Sequence, residues 1–153
     1  MIACAVLDGL FVTPAVTAIS EALASAGATG TLVVVGNAKL ATALKAKHEV
    51  IAVGLSPRAA KKLGATLDDT TTLEAGSIAA VIGVDVATDD SWEPMLRDWT
   101  RVVRDGGAIV LVDRGHAALA SRRALCAGLS EIEQRHAGRA VVTSGLVTHF
   151  EAT

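Results

Sequence analysis

Four apolar runs rich in valine and isoleucine recur along the chain, and segments with helical residue spacing separate them. Runs that stay apolar at every position, rather than at every second one, are typical of strands buried on both faces. Strands that alternate with helices form a parallel sheet with helices on both sides. The sequence therefore predicts a doubly wound α/β fold whose main strands are Leu32–Val35, Val50–Val53, Ile78–Val84 and Ala108–Val112.

Capping residues and glycines mark the expected helix boundaries. Thr13-Pro14 predicts the start of a helix that ends at Gly27, because a hydroxyl cap followed by proline suits a first turn. Asp90-Ser91 predicts the start of an amphipathic helix that Asp105-Gly106-Gly107 ends. Further helices are expected around Leu40–Leu44, from Ser56-Pro57 to Leu63-Gly64, and from Ala117 to Arg135, where Leu125, Leu129 and Ile132 have helical spacing.

Additional strands are expected at three places. Ala65–Leu67 predicts a brief strand, and the apolar run Ile2–Leu7 predicts a strand before the first helix, within residues 1–30. Arg139–Thr143 and Leu146–Phe150 flank Ser144-Gly145, which predicts a closing antiparallel hairpin. The length of 153 residues suits a single domain, with a Rossmann-like core over residues 31–153.

Composition excludes several classes of partner. The net charge is −2 and no block of basic residues is present, so a nucleic-acid backbone is not an expected ligand. Aromatic residues make up 3% of the chain, which leaves few platforms for stacking bases. Ile2–Leu7 is too short for a signal peptide or a membrane span. Cys4 and Cys126 are isolated, which favours two reduced thiols and a cytoplasmic location.

No metal site is expected, because no cysteine or histidine pair has the spacing of metal ligands. The ligand of a doubly wound sheet binds instead at the carboxyl ends of the strands, where the strand order reverses. In this chain the relevant loops follow Val35, Val53, Leu67 and Val84.

Three stretches carry a resemblance to a known family. They are His48–Arg58 (HEVIAVGLSPR), Gly76–Val86 (GSIAAVIGVDV) and Leu96–Gly115 (LRDWTRVVRDGGAIVLVDRG). The span Thr31–Phe150 resembles the class I S-adenosylmethionine-dependent methyltransferases, in the type 11 style of small-molecule enzymes. The last stretch is the most specific, because the family has a helix, a Pro-Gly-Gly turn and a hydrophobic strand there. In this chain Asp105 replaces the proline.

The resemblance implies a set of cofactor-binding positions. Gly36, Asn37 and Ala38 lie where the family has its Gly-x-Gly-x-Gly loop, and Gly54 with Leu55 lies where the family has an acid that binds the ribose. Asp68, followed by Asp69, lies near the adenine-contacting acid of the family, and Asp85 lies where the family lines its methyl-transfer cleft. Asp85 is also the catalytic candidate, since a buried acid there would act as a base.

Two of these positions lack what the cofactor needs. Only Gly36 remains of the glycine loop, and glycine is what allows a backbone to approach a ligand closely. Gly54 offers no carboxylate to the ribose hydroxyls. We therefore expect weak or absent binding of S-adenosylmethionine, and a binding or assembly module that forms a homodimer through the hairpin or Ile2–Leu7. The alternative is an active methyltransferase that acts on a small molecule.

Each candidate also has an ordinary structural interpretation. Gly36-Asn37 fits a plain strand-to-helix turn with Asn37 in a left-handed conformation. Asp85 fits an acid that faces solvent or caps the next helix. Asp113 and His116 fit loop residues satisfied by water, and Trp92 and Trp99, seven residues apart, fit core packing on one helix face.

Overall fold

The computed structural model describes residues 2–63 and 66–149, and for residues 2–13 and for Lys62 it describes the backbone. The helices are α1 (Ile2–Ala26), α2 (Ala38–Lys45), α3 (Pro57–Leu63), α4 (Trp92–Val102) and α5 (Ala117–Cys126). The strands are β1 (Leu32–Val35), β2 (Val50–Val53), β3 (Thr66–Leu67), β4 (Ile78–Val84), β5 (Val103–Asp113), β6 (Ser130–Ala137) and β7 (Ala140–Leu146).

The strands form one sheet of seven in the order β3-β2-β1-β4-β5-β7-β6. The first five strands in this order are parallel, whereas β7 is antiparallel to both β5 and β6. β1 lies between β2 and β4, so the strand order reverses at β1 and β4. The predicted Rossmann-like fold, with its mostly parallel sheet and closing antiparallel hairpin, is confirmed.

The core lies on both faces of the central strands. Leu32 and Val34 face α1 and α2, and Val33 faces the side that α4 and α5 cover. Because consecutive strand residues point to opposite faces, an unbroken apolar run needs helices on both sides. On the second side α4 buries Leu96, Trp99 and Val102, each worth about 1.5–3 kcal/mol when fully removed from water.

The N-terminal strand predicted within residues 1–30 is wrong, because α1 is continuous from Ile2 to Ala26 and contains Pro14. The helix therefore does not begin at Thr13-Pro14. Short apolar runs such as Ile2–Leu7 suit a buried helix as well as a strand, and periodicity alone does not separate the two. None of the described helices is long and apolar enough to cross a membrane.

The predicted end of α4 at Asp105-Gly106-Gly107 is also wrong. α4 ends at Val102, and the three residues lie inside β5. The Asp105 carboxylate accepts a hydrogen bond from the backbone N–H of His149 at 2.9 Å. At Gly107 a Cβ atom would lie 2.5 Å from the Ala79 carbonyl oxygen, so the glycine is required by a close backbone approach to β4 rather than by a helix stop.

The closing hairpin lies earlier in the chain than predicted. α5 ends at Cys126, and Gly128, with a φ of 85°, starts the turn into β6. The residues predicted as the second half of a long helix form β6, and Ser144-Gly145 lies inside β7 rather than at the turn. The helical spacing of Leu125, Leu129 and Ile132 therefore misled the prediction. Gly64, Ala65 and Phe150, which also bounded predicted elements, lie outside the described residues.

Candidate functional site

The loops that follow β1, β2, β3 and β4 all lie at the carboxyl edge of the sheet. Gly36 follows β1, Gly54 follows β2, Asp68 follows β3 and Asp85 follows β4. Because these strands are parallel, the four positions share one edge, and the reversal of strand order at β1 and β4 opens a crevice there. This edge is the candidate functional site.

The turn after β1 leads directly into the N-terminus of α2. Gly36 has a φ of 77° and its N–H donates to the Val53 carbonyl at 2.8 Å. Asn37 is extended, with a φ of −141°, so the left-handed conformation expected for it is wrong and Gly36 adopts it instead. The Asn37 side-chain oxygen accepts the N–H of Leu40 at 2.9 Å. This cap satisfies one of the free N–H groups with which a helix start attracts an anion.

The turn after β2 begins at Gly54, which has no side chain to offer to a ligand. Gly54 has a φ of 70°, and its N–H donates to the Leu67 carbonyl at 3.1 Å. A Cβ atom at Gly54 would meet only the Asp68 carbonyl oxygen, at 3.9 Å, so the space for a side chain is open. Leu55 is half-buried and packs against the core on the α1 side of the sheet. Leu55 therefore does not face the cavity that Gly54 lines.

A cavity of about 300 Å³ lies beside Gly54, and we call it the acidic cavity. Its lining includes the apolar side chains of Trp99 and Met95. It also includes residues 68–71 and Asp98, which carry carboxylates and hydroxyls and which we call the rim. The remaining lining residues are Val35, Val53 and Pro94. Apolar side chains beside hydrogen-bond acceptors suit a ligand with a ring and several donor groups.

Arg101 of α4 holds the rim of the acidic cavity in place. Its guanidinium donates to the Asp98 carboxylate at 2.9 Å, and to the carbonyls of Leu73 at 2.9 Å and Thr70 at 3.2 Å. The Thr70 hydroxyl donates to the second Asp98 oxygen. The loop after β3 is thereby fastened to α4, so the rim is preorganised.

The Asp69 carboxylate contributes a negative charge to the rim. The hydroxyl and the backbone N–H of Thr71 donate to its carboxylate and hold the pKa of Asp69 below its usual value. Asp69 therefore stays ionised in mildly acidic solution, and the rim favours a ligand that brings donors or positive charge.

Asp85, the catalytic candidate, is exposed at the end of β4 and has a φ of 57°. Its N–H donates to the Val112 carbonyl at 2.9 Å. Asp85 therefore lacks the burial that the role of a base requires. His116, at the start of α5, has a φ of 59° and is also exposed. Left-handed conformations are rare outside glycine, and such strain concentrates at functional edges.

Asp113, the last residue of β5, is only 2% exposed, so the expectation of a hydrated loop residue is wrong. One carboxylate oxygen accepts the N–H of Ala87 at 3.3 Å, and the other has no hydrogen-bond partner among the described residues. Burial raises the pKa of Asp113 to about 6, and the neighbouring charge of Asp85 acts in the same direction. A buried acid with a free oxygen is the least satisfied polar group at this edge.

No protein-family model and no curated protein sequence matches the chain, but many solved structures do. One is a candidate methyltransferase solved in complex with the Trm112 methyltransferase activator of Haloferax volcanii. It has a TM-score of 0.71 and 14% identity, with 88% of this chain and 90% of that chain covered. An S-adenosylmethionine-dependent methyltransferase from Aquifex aeolicus has a TM-score of 0.68 and 12% identity, with 92% and 93% covered.

A third structure is a 16S rRNA N2 G1207 methyltransferase of Thermus thermophilus, solved with S-adenosylmethionine and guanosine. It has a TM-score of 0.62 and 16% identity, with 78% of this chain covered and 36% of that chain. The chain has the fold of the class I S-adenosylmethionine-dependent methyltransferases. At these identities the likeness concerns the methyltransferase fold alone.

The methyltransferase fold brings together only part of the predicted cofactor set. Gly54 and Asp68 line the acidic cavity, whereas Ala38 lines a different cavity on the other face of the sheet. Met95, Thr70 and Asp98 line the cavity, although no sequence pattern indicated them, and Trp99 was expected in core packing. Trp99 does both, because it is 2% exposed and its ring lies where a Cβ of Gly83 would clash. Gly83, inside an apolar strand, was the available signal for that close approach.

We expect Asp113→Asn to stabilise the protein at neutral pH. The folded pKa is raised from 3.8 to about 6, so the folded state favours the protonated acid, and the cost of ionisation grows as pH rises through this window and is complete above it. A shift of this size corresponds to roughly 1–3 kcal/mol. Urea denaturation should therefore show a gain of that size at about pH 8 and almost none near pH 3.8.

Asp90→Asn is the matched control, because Asp90 is exposed in the loop before α4. It should leave the free energy of unfolding almost unchanged at both pH values. A loss of stability in Asp113→Asn at neutral pH would contradict the assignment of Asp113 as an unpaired buried acid.

Proposed function

We propose that this methyltransferase-fold protein binds S-adenosylmethionine weakly or not at all and works as a binding or assembly module rather than as an enzyme. The observation that carries the proposal is the pair of turns after β1 and β2. Asn37 uses its side chain to cap α2, and Gly54 has no side chain to offer to a ribose. These are the two places where the resemblance predicts the strongest cofactor contacts.

The expected loss of binding free energy for S-adenosylmethionine is large enough to support this proposal. A hydrogen bond to a charged group contributes about 1.5–3 kcal/mol, and a carboxylate at position 54 would accept two from the ribose. The Asn37 cap occupies a further N–H at the start of α2. Losing the two contacts of the carboxylate alone weakens a dissociation constant by roughly 10²–10⁴-fold. Fold alone does not restore that affinity.

The second candidate function is an active methyltransferase that acts on a small molecule. The acidic cavity favours it, because Asp68 on the rim offers acceptors to ribose hydroxyls and Trp99 offers a wall to a base. Methyl transfer also needs positioning more than acid–base help, so an exposed Asp85 does not argue against catalysis. The cavity of about 300 Å³ suits part of a nucleoside cofactor.

Calorimetric titration with S-adenosylmethionine and with its demethylated product separates the two candidates. We expect a dissociation constant of about 1 mM or weaker for both, because the ribose acid and the glycine loop are missing. A constant of about 1 μM, equivalent to about −8 kcal/mol, would overturn the proposal and favour the enzyme.

If such tight binding is found, Asp68→Asn locates it. In an enzyme that uses the acidic cavity, this variant should bind about tenfold more weakly, whereas Asp90→Asn, away from the cavity, should bind like the unmodified protein.

For the assembly role we propose a second copy of the chain as the partner, joined through β6. β6 ends the sheet, and its outer side has no neighbouring strand among the described residues. Antiparallel pairing of two copies of β6 about Gln134 would place Glu133 of each copy opposite Arg135 of the other. Opposite charges in directly facing positions stabilise a strand pair. The Haloferax volcanii relative, which was solved with a protein activator, supports a protein partner in a more general way.

The proposal keeps two further expectations of the sequence analysis, a cytoplasmic location and no nucleic-acid partner. Within the described residues Cys126 is a free, exposed thiol, which agrees with a reducing compartment. These expectations stay predictions.

Sedimentation equilibrium tests the dimer. At concentrations of about 100 μM we expect a mass of twice 15.6 kDa, and Glu133→Lys should return the protein to the monomer because it places like charges opposite each other. Glu74→Lys makes the same charge change at an exposed loop position and should stay dimeric. A monomer at every concentration would contradict the β6 interface.

A further inference from the structure

Asp113, at the end of β5, is a buried acid that the proposed function does not use. One oxygen of its carboxylate accepts the N–H of Ala87 at 3.3 Å, and the other has no hydrogen-bond partner among residues 2–63 and 66–149. A buried polar atom without a partner is costly, and native structures contain few of them. Two turns flank this acid, the one after β4 and the one after β5, and they are held in place to different degrees.

The turn after β4 is held firmly beside Asp113. The N–H of Asp85 donates to the Val112 carbonyl at 2.9 Å, which fastens this turn to β5. Val86 and Ala87, the next two residues, are each only 1% exposed. Moving this turn would break the hydrogen bond and bring apolar side chains into water, so this side of the acid stays closed.

The turn after β5, residues 114–116, is held less firmly. Arg114 and His116 are exposed, and His116 has a φ of 59°, a left-handed conformation that is costly outside glycine. His116 is also the N-cap residue of α5, but its side chain makes no capping hydrogen bond to the first turn of that helix. This turn is therefore the part of the edge that moves at the lowest cost.

α5 itself is anchored just beyond this turn. The side chain of Gln134 on β6 donates to the Ala117 carbonyl at 2.6 Å, and α5 buries Ala120 and Ala124. These contacts hold the helix on the sheet while the turn before it moves. An opening that brings water to the free oxygen of Asp113 is therefore confined to residues 114–116.

Burial and the neighbouring charges determine when Asp113 ionises. Burial is the largest cause that raises the pKa of Asp113 to about 6, and the negative charge of Asp85 acts in the same direction. The hydrogen bond from Ala87 and a positive charge on His116 act against this rise. Val141 is the residue opposite Asp113 on β7, and the buried faces of α4 and α5 are apolar, so these elements present no buried charge.

We propose that the turn after β5 is a pH-sensitive gate, which is closed while Asp113 is protonated and opens when Asp113 ionises. The neutral acid stays buried against Ala87. The ionised carboxylate is stabilised by water, which the opened turn admits to its free oxygen. Opening also exposes a second carboxylate near Asp85, so the carboxyl edge of the sheet becomes more negative as the pH rises.

Amide hydrogen exchange at about pH 5 and about pH 8, corrected for the intrinsic exchange rate at each pH, tests the gate. Ala120 is the reporter, because its N–H donates to the His116 carbonyl at 2.9 Å. The closed state titrates with a pKa of about 6 and the opened state near the ordinary value of 3.8, so the ratio of open to closed molecules rises with pH. The protection factor of Ala120 should fall about tenfold between the two pH values.

Two other amides and two variants serve as controls. The N–H of Ala41 donates to the Asn37 carbonyl at the start of α2, the equivalent position of another helix, and its protection should not change with pH. Ala87 should also keep its protection, because the turn after β4 stays in place. Asp113→Asn should make the protection of Ala120 independent of pH. Asp90→Asn, in the exposed loop before α4, should keep the tenfold fall.

Four results would overturn the proposal. They are equal protection of Ala120 at both pH values, an equal fall at Ala41, a fall at Ala87, or a fall at Ala120 that persists in Asp113→Asn. The exchange of single amides distinguishes this gate from a loss of stability of the whole domain. None of these outcomes depends on S-adenosylmethionine, so the gate and the proposed function are tested separately.

Discussion

The burial of the central strands on both faces is the constraint on which the rest of this structure depends. The side chains of β1 and β4 are entirely apolar, so helices must cover both sides of the sheet. The close contacts at two glycines of the sheet follow from the same dense packing. Gly83 leaves room for the Trp99 ring, and Gly107 allows the backbone of β5 to approach Ala79. Because β1 and β4 carry no polar side chains, the polar groups of the candidate site come from the loops at the carboxyl edge and from α4.

The two faces of the sheet carry separate cavities. The face that α4 covers carries the acidic cavity, whose rim Arg101 holds in place, and the other face carries a cavity between α2 and α3. The turns between them contain the positions where a methyltransferase would hold its cofactor. Those turns contain a helix cap at Asn37 and a bare backbone at Gly54. The chain therefore has the methyltransferase fold, and we propose that its contacts to S-adenosylmethionine are reduced.

Sequence patterns predicted the elements of the fold better than their ends. β1, β2 and β4 were located residue for residue, because apolar runs between turn residues leave little choice of register. The ends of α4 and α5 were wrong, because Gly107 serves a tertiary contact and Gly128 interrupts an apparently continuous helical spacing. The cavities could not be predicted at all. They depend on which face Met95, Trp99, Lys39 and Arg58 occupy and on contacts between segments that are distant in sequence.

Restoring one side chain tests the central claim, that the missing ribose acid is what weakens cofactor binding. Position 54 has a φ of 70°, which aspartate and asparagine tolerate better than most residues, and space for a Cβ is available. The measurement is the affinity for S-adenosylhomocysteine of the unmodified protein, Gly54→Asp and Gly54→Asn. We predict that Gly54→Asp binds at least about tenfold more tightly than the other two, which lack the carboxylate. Equal affinity of all three proteins would contradict it.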